Sequence, residues 1–152
     1  PATSRCALRR ATIMEVQRTR TVVDFAGRHV YAPTVQIGKW VLPRGSSVMV
    51  FISQIHANPA VFDDPERFEP GRFATSSPAA YTWIPYGGGT RRCPGATFAN
   101  VSMDAMLRTL LQCFVIEPNT DPAEDVHARG VAFTPKHGGR MVVHRRRHAI
   151  SS

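Results

Sequence analysis

The spacing of apolar residues predicts two helices, the clearer one in the second half of the chain. Apolar side chains recur at helical spacing from 96 to 114, where one face would carry Phe98, Val101, Ala105, Met106, Leu110 and Phe114. An earlier helix is predicted from about Arg5 to Thr19. The chain would therefore begin with one helix and place a second one beyond its midpoint.

Short extended segments are predicted on both sides of the second helix. Four precede it, near 22–25, 28–31, 35–37 and 48–51, around a turn at Pro43-Arg44-Gly45. A proline-rich, irregular stretch then runs from 58 to 95, and loops of that length usually carry function. After the cluster at 118–122, segments 131–133 and 141–144 are expected to pair as a hairpin through His137-Gly138-Gly139. This order predicts a mixed α/β domain that is mainly helical.

Composition is that of an ordinary globular protein. The 152 residues suffice for one domain, and the hydrophobic fraction is 43%. No apolar run approaches the roughly 18 residues of a membrane span, and the first ten residues lack the apolar centre of a signal peptide. Three cysteines do not suggest a disulfide scaffold. A reducing, cytoplasmic location is therefore expected.

One cysteine, Cys93, lies in a loop whose composition suits a metal ligand. The segment from Tyr86 to Gly95 also holds Arg91 and Arg92. Cysteine binds metals as the thiolate, which nearby cations and the N-terminus of a following helix stabilise. Backbone freedom, which lets the chain approach a flat macrocycle closely, would come from Gly87, Gly88, Gly89 and Gly95. The loop therefore predicts an axial thiolate ligand to haem iron.

Other kinds of functional site fit the sequence less well than a haem ligand at Cys93 does. The glycine run is not followed by the GxxxxGK arrangement of a phosphate-binding loop. Cys6 and Cys113 lack basic, glycine-rich surroundings, and burial in the core is the expected role of Cys113. The six histidines show neither HExxH nor paired CxxC spacing, which argues against a zinc site.

The cysteine loop resembles that of the cytochrome P-450 family, whose pattern is Phe-x-x-Gly-x-Arg-x-Cys-x-Gly. Four of the five fixed positions are filled by Gly89, Arg91, Cys93 and Gly95, and Tyr86 stands where the family usually has Phe. By this resemblance Cys93 would be the iron ligand of haem b, and Arg91 would pair with a haem propionate. The Tyr86 ring would pack beside the sulfur, and its hydroxyl could hydrogen-bond that sulfur.

Two further motifs resemble the same family. Glu15-Val-Gln-Arg18 is similar to the ExxR motif of the K helix, and Pro65-Glu-Arg67-Phe68 is similar to the PERF motif. The resemblance implies a buried charge cluster of Glu15, Arg18 and Arg67. Arg28, thirteen residues after Glu15, matches an arginine that commonly reaches a propionate.

The resemblance also divides the chain into segments. They are a K-helix-like segment at 1–20, short strands at 21–57, a meander at 58–85, the cysteine loop at 86–95, an L-helix-like segment at 96–114, terminal strands or a hairpin at 115–144 and a basic tail at 145–152. The expected fold is thus the C-terminal part of the cytochrome P-450 fold, which forms the proximal haem face, and it is incomplete. We expect sheet edges and apolar faces to be left uncovered, with weak stability and association as the result.

A complete member of the family inserts one atom of O₂ into a small organic substrate. The resemblance implies that this chain descends from such a monooxygenase. No acidic residue is followed by Thr, so the acid–alcohol pair of the family is missing and no catalytic residue is assigned. The chain is expected to turn over poorly by itself. Two alternatives remain: a non-catalytic haem-binding fragment, and a basic interaction module without haem.

The net charge of +8 bears on partners. The run from His144 to His148 is expected to be a solvated tail rather than a nucleic-acid contact, because recognition helices and aromatic platforms are lacking. Arg91, Arg92 and Arg108 are expected near the proximal face, where the family receives an acidic ferredoxin or a reductase.

Overall fold

The computed structural model describes residues 2–75, 77–118 and 124–146. Its two long helices are α1 (Ala2–Thr19) and α3 (Ala96–Cys113), and a single-turn helix α2 (Ile52–His56) lies between them. The strands are β1 (Phe25–His29), β2 (Thr34–Ile37), β3 (Trp40–Pro43), β4 (Ser47–Phe51), β5 (Phe114–Ile116), β6 (Val126–Arg129), β7 (Ala132–Pro135) and β8 (Val143–Arg145). The predicted mixed, mainly helical class is confirmed.

The described strands form four separate antiparallel pairs. β1 pairs with β4, β2 with β3, β5 with β8 and β6 with β7. The two extended segments predicted near 22–25 and 28–31 are one strand, β1, and β3 was not predicted. Each pair therefore keeps two edges with no strand partner among the described residues.

The predicted pairing of segments 131–133 and 141–144 is wrong. β7 returns on β6 through a tight turn in which Arg129 faces Ala132, while β8 pairs with β5. Gly130 has a φ of +64° in that turn, which is the left-handed backbone that a two-residue hairpin loop requires. The turn at Gly130 therefore closes the hairpin, and the glycines at 138 and 139 lie outside it.

The basic tail predicted at 145–152 begins later than expected. Arg145 belongs to β8, and the Nε atom of Arg146 donates to the carbonyls of Leu111 and Phe114 at 3.1 and 3.0 Å. Arg146 thus satisfies carbonyl groups at the C-terminal end of α3. Positions 147–152 lie outside the described residues.

The core lies where α1, α2 and the irregular stretch meet. A row of rings contacts edge to face, with centroid distances of 6.5 Å for His56–Phe62, 6.2 Å for Phe62–Phe73 and 6.1 Å for Phe73–Trp83. The indole of Trp83 donates to the carbonyl of Met14 at 3.2 Å. These contacts fasten the stretch before the cysteine loop to α1.

The two long helices are also joined directly. The guanidinium of Arg9 on α1 forms an ion pair with the carboxylate of Asp104 on α3, with an Nη2–Oδ2 distance of 3.1 Å.

Among the described residues, neither long helix is apolar enough over sufficient length to cross a membrane.

Candidate cofactor site

The cysteine loop follows Trp83, the last ring of the aromatic row, and ends at the start of α3. Its backbone is held by two hydrogen bonds, from Cys93 N–H to the carbonyl of Tyr86 at 3.0 Å and from Arg92 N–H to that of Gly89 at 3.1 Å. α3 begins at Ala96, after an N-cap at Gly95, so Pro94 precedes the helix rather than entering its first turn. The side chain of Cys93 is exposed directly before that helix.

Two glycines of the loop adopt backbone that side chains disfavour. Gly87 has a φ of +70° and Gly89 a φ of +67°, and a Cβ at either position would meet nothing within 4 Å. Glycine is therefore required at these two positions by the left-handed backbone, and not by atoms of the described residues that would collide with a side chain. Gly95 differs, because a Cβ there would lie 3.7 Å from the sulfur of Cys93, an ordinary contact.

A cavity of about 480 Å³ opens beside the loop, and Cys93 lies in its wall. Arg28 from β1 and Arg91 from the loop line the same cavity, and most of the remaining wall is apolar. The Arg28 guanidinium donates to the carbonyl of Gly27 at 2.7 Å and to that of Gly88 at 3.4 Å. The structure thus brings together Cys93, Arg28 and Arg91, as the sequence led us to expect, and it adds Arg20, which the sequence analysis did not assign to the site.

Tyr86 differs from the expectation in the partner of its hydroxyl. The phenol oxygen accepts from the Gln17 amide at 2.7 Å and donates to Asn100 Oδ1 at 3.1 Å, and the same amide donates to Asn100 Oδ1 at 3.0 Å. These three side chains come from α1, the loop and α3. The hydroxyl is therefore occupied by this triangle and is not bonded to the sulfur of Cys93.

The surroundings of Tyr86 also oppose its ionisation. Burial raises the pKa of the phenol above its usual value, the hydrogen bond from Gln17 lowers it in part, and the nearby Cys93 raises it. The guanidinium of Arg92 lies 5.8 Å from the ring centroid. Sequence reasoning missed Gln17 and Asn100, and the polar replacement of the usual Phe at position 86 was the signal that a hydrogen-bonding partner was needed.

Glu15 and Arg18 form the buried pair that was predicted. Their side chains are 0% and 2% exposed, and Arg18 donates to both carboxylate oxygens of Glu15 at 2.8 Å. The backbone N–H of Glu69 adds a third hydrogen bond to this carboxylate at 2.9 Å. Burial favours the neutral acid, but these bonds and the charges of Arg18 and Arg72 more than offset burial, so the pKa of Glu15 is lowered.

The second arginine of the cluster is Arg72, and the assignment of Arg67 is wrong. Arg72 Nε lies 3.2 Å from the Glu15 carboxylate, whereas the Arg67 side chain is 67% exposed and pairs with Glu69 at 3.3 Å. Arg67 contributes only its carbonyl, which accepts from Arg18 and Arg72 at 3.2 and 3.3 Å.

The error has a sequence cause. The pattern Pro-x-Arg-Phe occurs twice in succession, at 65–68 and at 70–73. The second copy forms a short 3₁₀ turn from Pro70 to Phe73, and the Glu69 carboxylate accepts from the N–H of Gly71 at its start. That turn directs Arg72 towards Glu15, while the first copy lies on the surface.

Comparisons with known proteins agree with this geometry. The family model described as Cytochrome P-450 matches residues 4–140. Cytochrome P-450 138 of Mycobacterium tuberculosis is 57% identical over 139 residues, which cover 91% of this chain and 32% of that protein. Cytochrome P-450 135B1 of the same organism is 38% identical over 133 residues, which cover 88% of this chain and 28% of that protein. The chain spans about a third of the length of these curated relatives.

Solved structures show the same fold. A zebrafish cytochrome P-450 solved with abiraterone superposes with a TM-score of 0.79 at 28% identity, and the match covers 97% of this chain and 36% of that one. The cyanobacterial CYP120A1 with retinoic acid bound superposes with a TM-score of 0.76 at 30% identity, and the match covers 90% of this chain and 32% of that one. The cysteine loop, the buried Glu15–Arg18 pair and these matches together establish that the chain belongs to the cytochrome P-450 family.

Proposed function

We propose that this chain supplies the cysteine-ligand side of a haem-thiolate monooxygenase, which inserts one atom of O₂ into a small organic substrate. The observation that carries the proposal is the placement of Cys93, Arg28 and Arg91 around one cavity of about 480 Å³. Family membership supports oxidoreductase chemistry of this kind. The three cysteines are free, which suits a reducing, cytoplasmic setting.

The residues of the cavity fit haem b. Val22, Val23 and Ile52 line it with the apolar surface that a macrocycle requires. Arg28 and Arg91, two of the three arginines that line the cavity, carry the charge that would pair with the propionates, and Cys93 offers a thiolate. When bound, the haem supplies O₂ activation, which the thiolate promotes by donating electron density to the iron.

The residues of the cavity and of the buried charge cluster then have defined tasks. Cys93 would bind the iron, and Arg28 and Arg91 would hold the carboxylates of the cofactor. The Glu15–Arg18–Arg72 cluster would keep α1 and the irregular stretch in register, because the Arg72–Glu15 ion pair crosses between them. The apolar wall would exclude water and so strengthen the polar contacts inside the cavity.

Substrate contacts are proposed at the edge of the same cavity. Val22 and Val23 line it, and the N–H of Phe133 on β7 donates to the carbonyl of Val22 at 2.7 Å. The β6–β7 hairpin is therefore fastened beside the cavity wall. Its tip at Val131, together with Val22 and Val23, would contact a small organic substrate.

The electron donor is proposed to be an acidic ferredoxin or a reductase. Arg92 lies in the cysteine loop and Arg108 on the following helix, and both are exposed, so they would contribute positive charge to the surface that receives the donor. Opposite potentials accelerate encounter, and salt screens them. Binding of an acidic ferredoxin should therefore weaken steeply as ionic strength rises, and a flat salt response would remove this part of the proposal.

Titration of the reduced chain with hemin tests the cavity assignment. We expect saturation at one hemin per chain, followed by absorbance, and an affinity about tenfold weaker in a double variant Arg28→Ala and Arg91→Ala, because two charge-assisted contacts are lost. Arg44→Ala, which removes an exposed arginine outside the cavity, is the matched control. Absence of saturable binding, or equal affinity in the double variant and the control, would contradict the proposal.

A further inference from the structure

His56 is a buried titratable residue that the proposed mechanism does not use. It ends α2, and the residue is 1% exposed. Its ring Nε2 accepts a hydrogen bond from the backbone N–H of Ile84 at 2.9 Å. Its own carbonyl accepts from Arg18 Nη1 at 2.9 Å. One residue thus links the buried Glu15–Arg18 pair to the chain that leads into the cysteine loop.

Ile84 is the point from which the cysteine loop departs. Its carbonyl accepts from the N–H of Gly87 at 2.9 Å, which closes a turn from 84 to 87. The carbonyl of Tyr86, inside that turn, accepts from the N–H of Cys93 at 3.0 Å. These hydrogen bonds, joined by the backbone of the 84–87 turn, therefore connect the His56 ring to the backbone of Cys93.

The hydrogen bond defines the protonation state of the ring. Because Nε2 accepts from an N–H group, it carries no proton, and the neutral ring has its proton on Nδ1. Burial is the main reason that the pKa of His56 is lowered to about 4, so the neutral form dominates at physiological pH. Nδ1 is buried and has no hydrogen-bond partner among the described residues, so the contact with Ile84 is the one polar contact of the ring there.

We propose that His56 is a positioning residue for the cysteine ligand: its neutral ring fixes the Ile84 amide, and thereby the 84–87 turn and the backbone of Cys93, against the buried Glu15–Arg18 pair. The effect on the ligand rests on the proposed function, whereas the effect on the turn does not. The neighbouring ring of Phe62, 6.5 Å away at 88°, holds the imidazole in orientation. No contact joins His56 to Cys93 directly, so the histidine acts through the backbone.

Two substitutions at this position separate hydrogen bonding from packing. His56→Leu keeps the bulk of the side chain roughly the same but removes the acceptor, whereas His56→Gln retains an acceptor that can reach the Ile84 N–H. The matched control is His137→Leu, which changes an exposed histidine in the terminal region. All three are compared with the parent chain at neutral pH.

The direct readout is hydrogen exchange at the Ile84 amide in the haem-free chain. We expect exchange at least about tenfold faster in His56→Leu, because loss of a net contribution of about 1.4 kcal/mol corresponds to that factor. In His56→Gln and His137→Leu, exchange should stay near the parent rate. Unchanged exchange in His56→Leu, or equally fast exchange in both His56 variants, would overturn the proposal.

The second readout is the ferrous carbon-monoxide spectrum after loading with hemin. His56→Leu should shift part of the band from the red-shifted thiolate position to the position of haem without thiolate, and His56→Gln should restore the parent spectrum. A parent-like spectrum in a folded His56→Leu variant would overturn the effect on the ligand.

If His56→Leu does not fold, His56→Gln decides: a protected Ile84 amide supports the proposal, and a rapidly exchanging one overturns it. Failure of the parent chain to bind hemin would refute the proposed function while leaving the exchange result valid.

Discussion

At the scale of single residues, the arginine that completes the buried cluster shows how local structure selects between equivalent motifs. Two copies of Pro-x-Arg-Phe follow one another, and the sequence favoured the first because it matches the PERF motif at all four positions. Only the second forms a 3₁₀ turn that brings its arginine within 3.2 Å of Glu15. The carboxylate is fully buried, so its partners determine whether its charge is tolerated.

Substitution of the two arginines should therefore have unequal effects. Arg72→Ala is expected to lower the free energy of unfolding by about 2–4 kcal/mol, because a buried carboxylate loses one of its two cationic partners. Arg67→Ala should change it by less than about 0.5 kcal/mol, because its side chain is exposed. Urea unfolding at pH 7 measures both. Equal losses in the two variants would show that the buried cluster is assigned to the wrong arginine.

The residues that could be predicted from the sequence are those whose motif spacing is rigid. Cys93, Arg91 and the loop glycines follow each other within one short segment, and Glu15 and Arg18 share one helix face. Gln17, Asn100 and His56 could not be assigned partners, because these partners lie 14 to 83 residues away along the chain. Such contacts depend on how the elements pack, which local spacing does not encode.

At the scale of elements, the contact between α2 and the turn at 84–87 makes stability dependent on pH. The pKa of His56 is about 4 in the folded chain and 6.5 as its ordinary value. Because folding lowers the pKa of this basic group, its contribution to the free energy of unfolding is fully present above pH 6.5. The contribution is lost as the pH falls from 6.5 towards 4, since the unfolded chain then binds a proton that the folded chain does not. The charged groups beside it are Arg18, bonded to its carbonyl, with Glu15 and Arg72 in the adjoining cluster.

The unfolding free energy of the parent chain should accordingly fall by roughly 3 kcal/mol between pH 6.5 and 4 on account of His56. Glu15, whose folded pKa is lowered, adds a further loss only below its ordinary value of 4.5. His56→Gln cannot be protonated in this range, so its stability should be nearly flat from pH 6.5 to 4.5. Denaturant unfolding at several pH values measures both chains, and parallel curves would contradict the expectation.

Elements joined by local turns were harder to predict than the helices. The helices are long and periodic, and their observed ends lie within three residues of the predicted ones. Near the C-terminal end, glycines at 130, 138 and 139 all have positive φ, so three positions offer turn geometry. Hydrophobic alternation over three or four residues does not choose between them, and the partner of β8 lies on a segment far earlier in the chain, β5.

At the scale of the whole molecule, the chain exposes more surface than a self-sufficient domain of its size. Its accessible surface is 11781 Å², whereas a folded monomer of 16.8 kDa is expected to expose about 7,700 Å². Large apolar side chains on α3 are among those exposed, including Phe98 at 79% and Val101 at 64%. The excess suits a structural unit that packs against further polypeptide, consistent with its span of about a third of its relatives.

We therefore expect the isolated chain to associate as its concentration rises, because exposed apolar faces and strand edges pair with other copies. Sedimentation velocity over a hundredfold range of concentration measures this, and thermal unfolding should be broad. A single monomeric species with a sharp two-state transition would show that these faces are self-sufficient.

The ferrous carbon-monoxide spectrum of the hemin-loaded chain, compared between the parent and Cys93→Ser, tests the bond between sulfur and iron most directly. The account predicts a band at the red-shifted position of haem-thiolate proteins in the parent and its loss in Cys93→Ser, with Cys6→Ser and Cys113→Ser unchanged. A band at that position that persists without Cys93, or its absence from a parent chain that has bound hemin, would contradict the account.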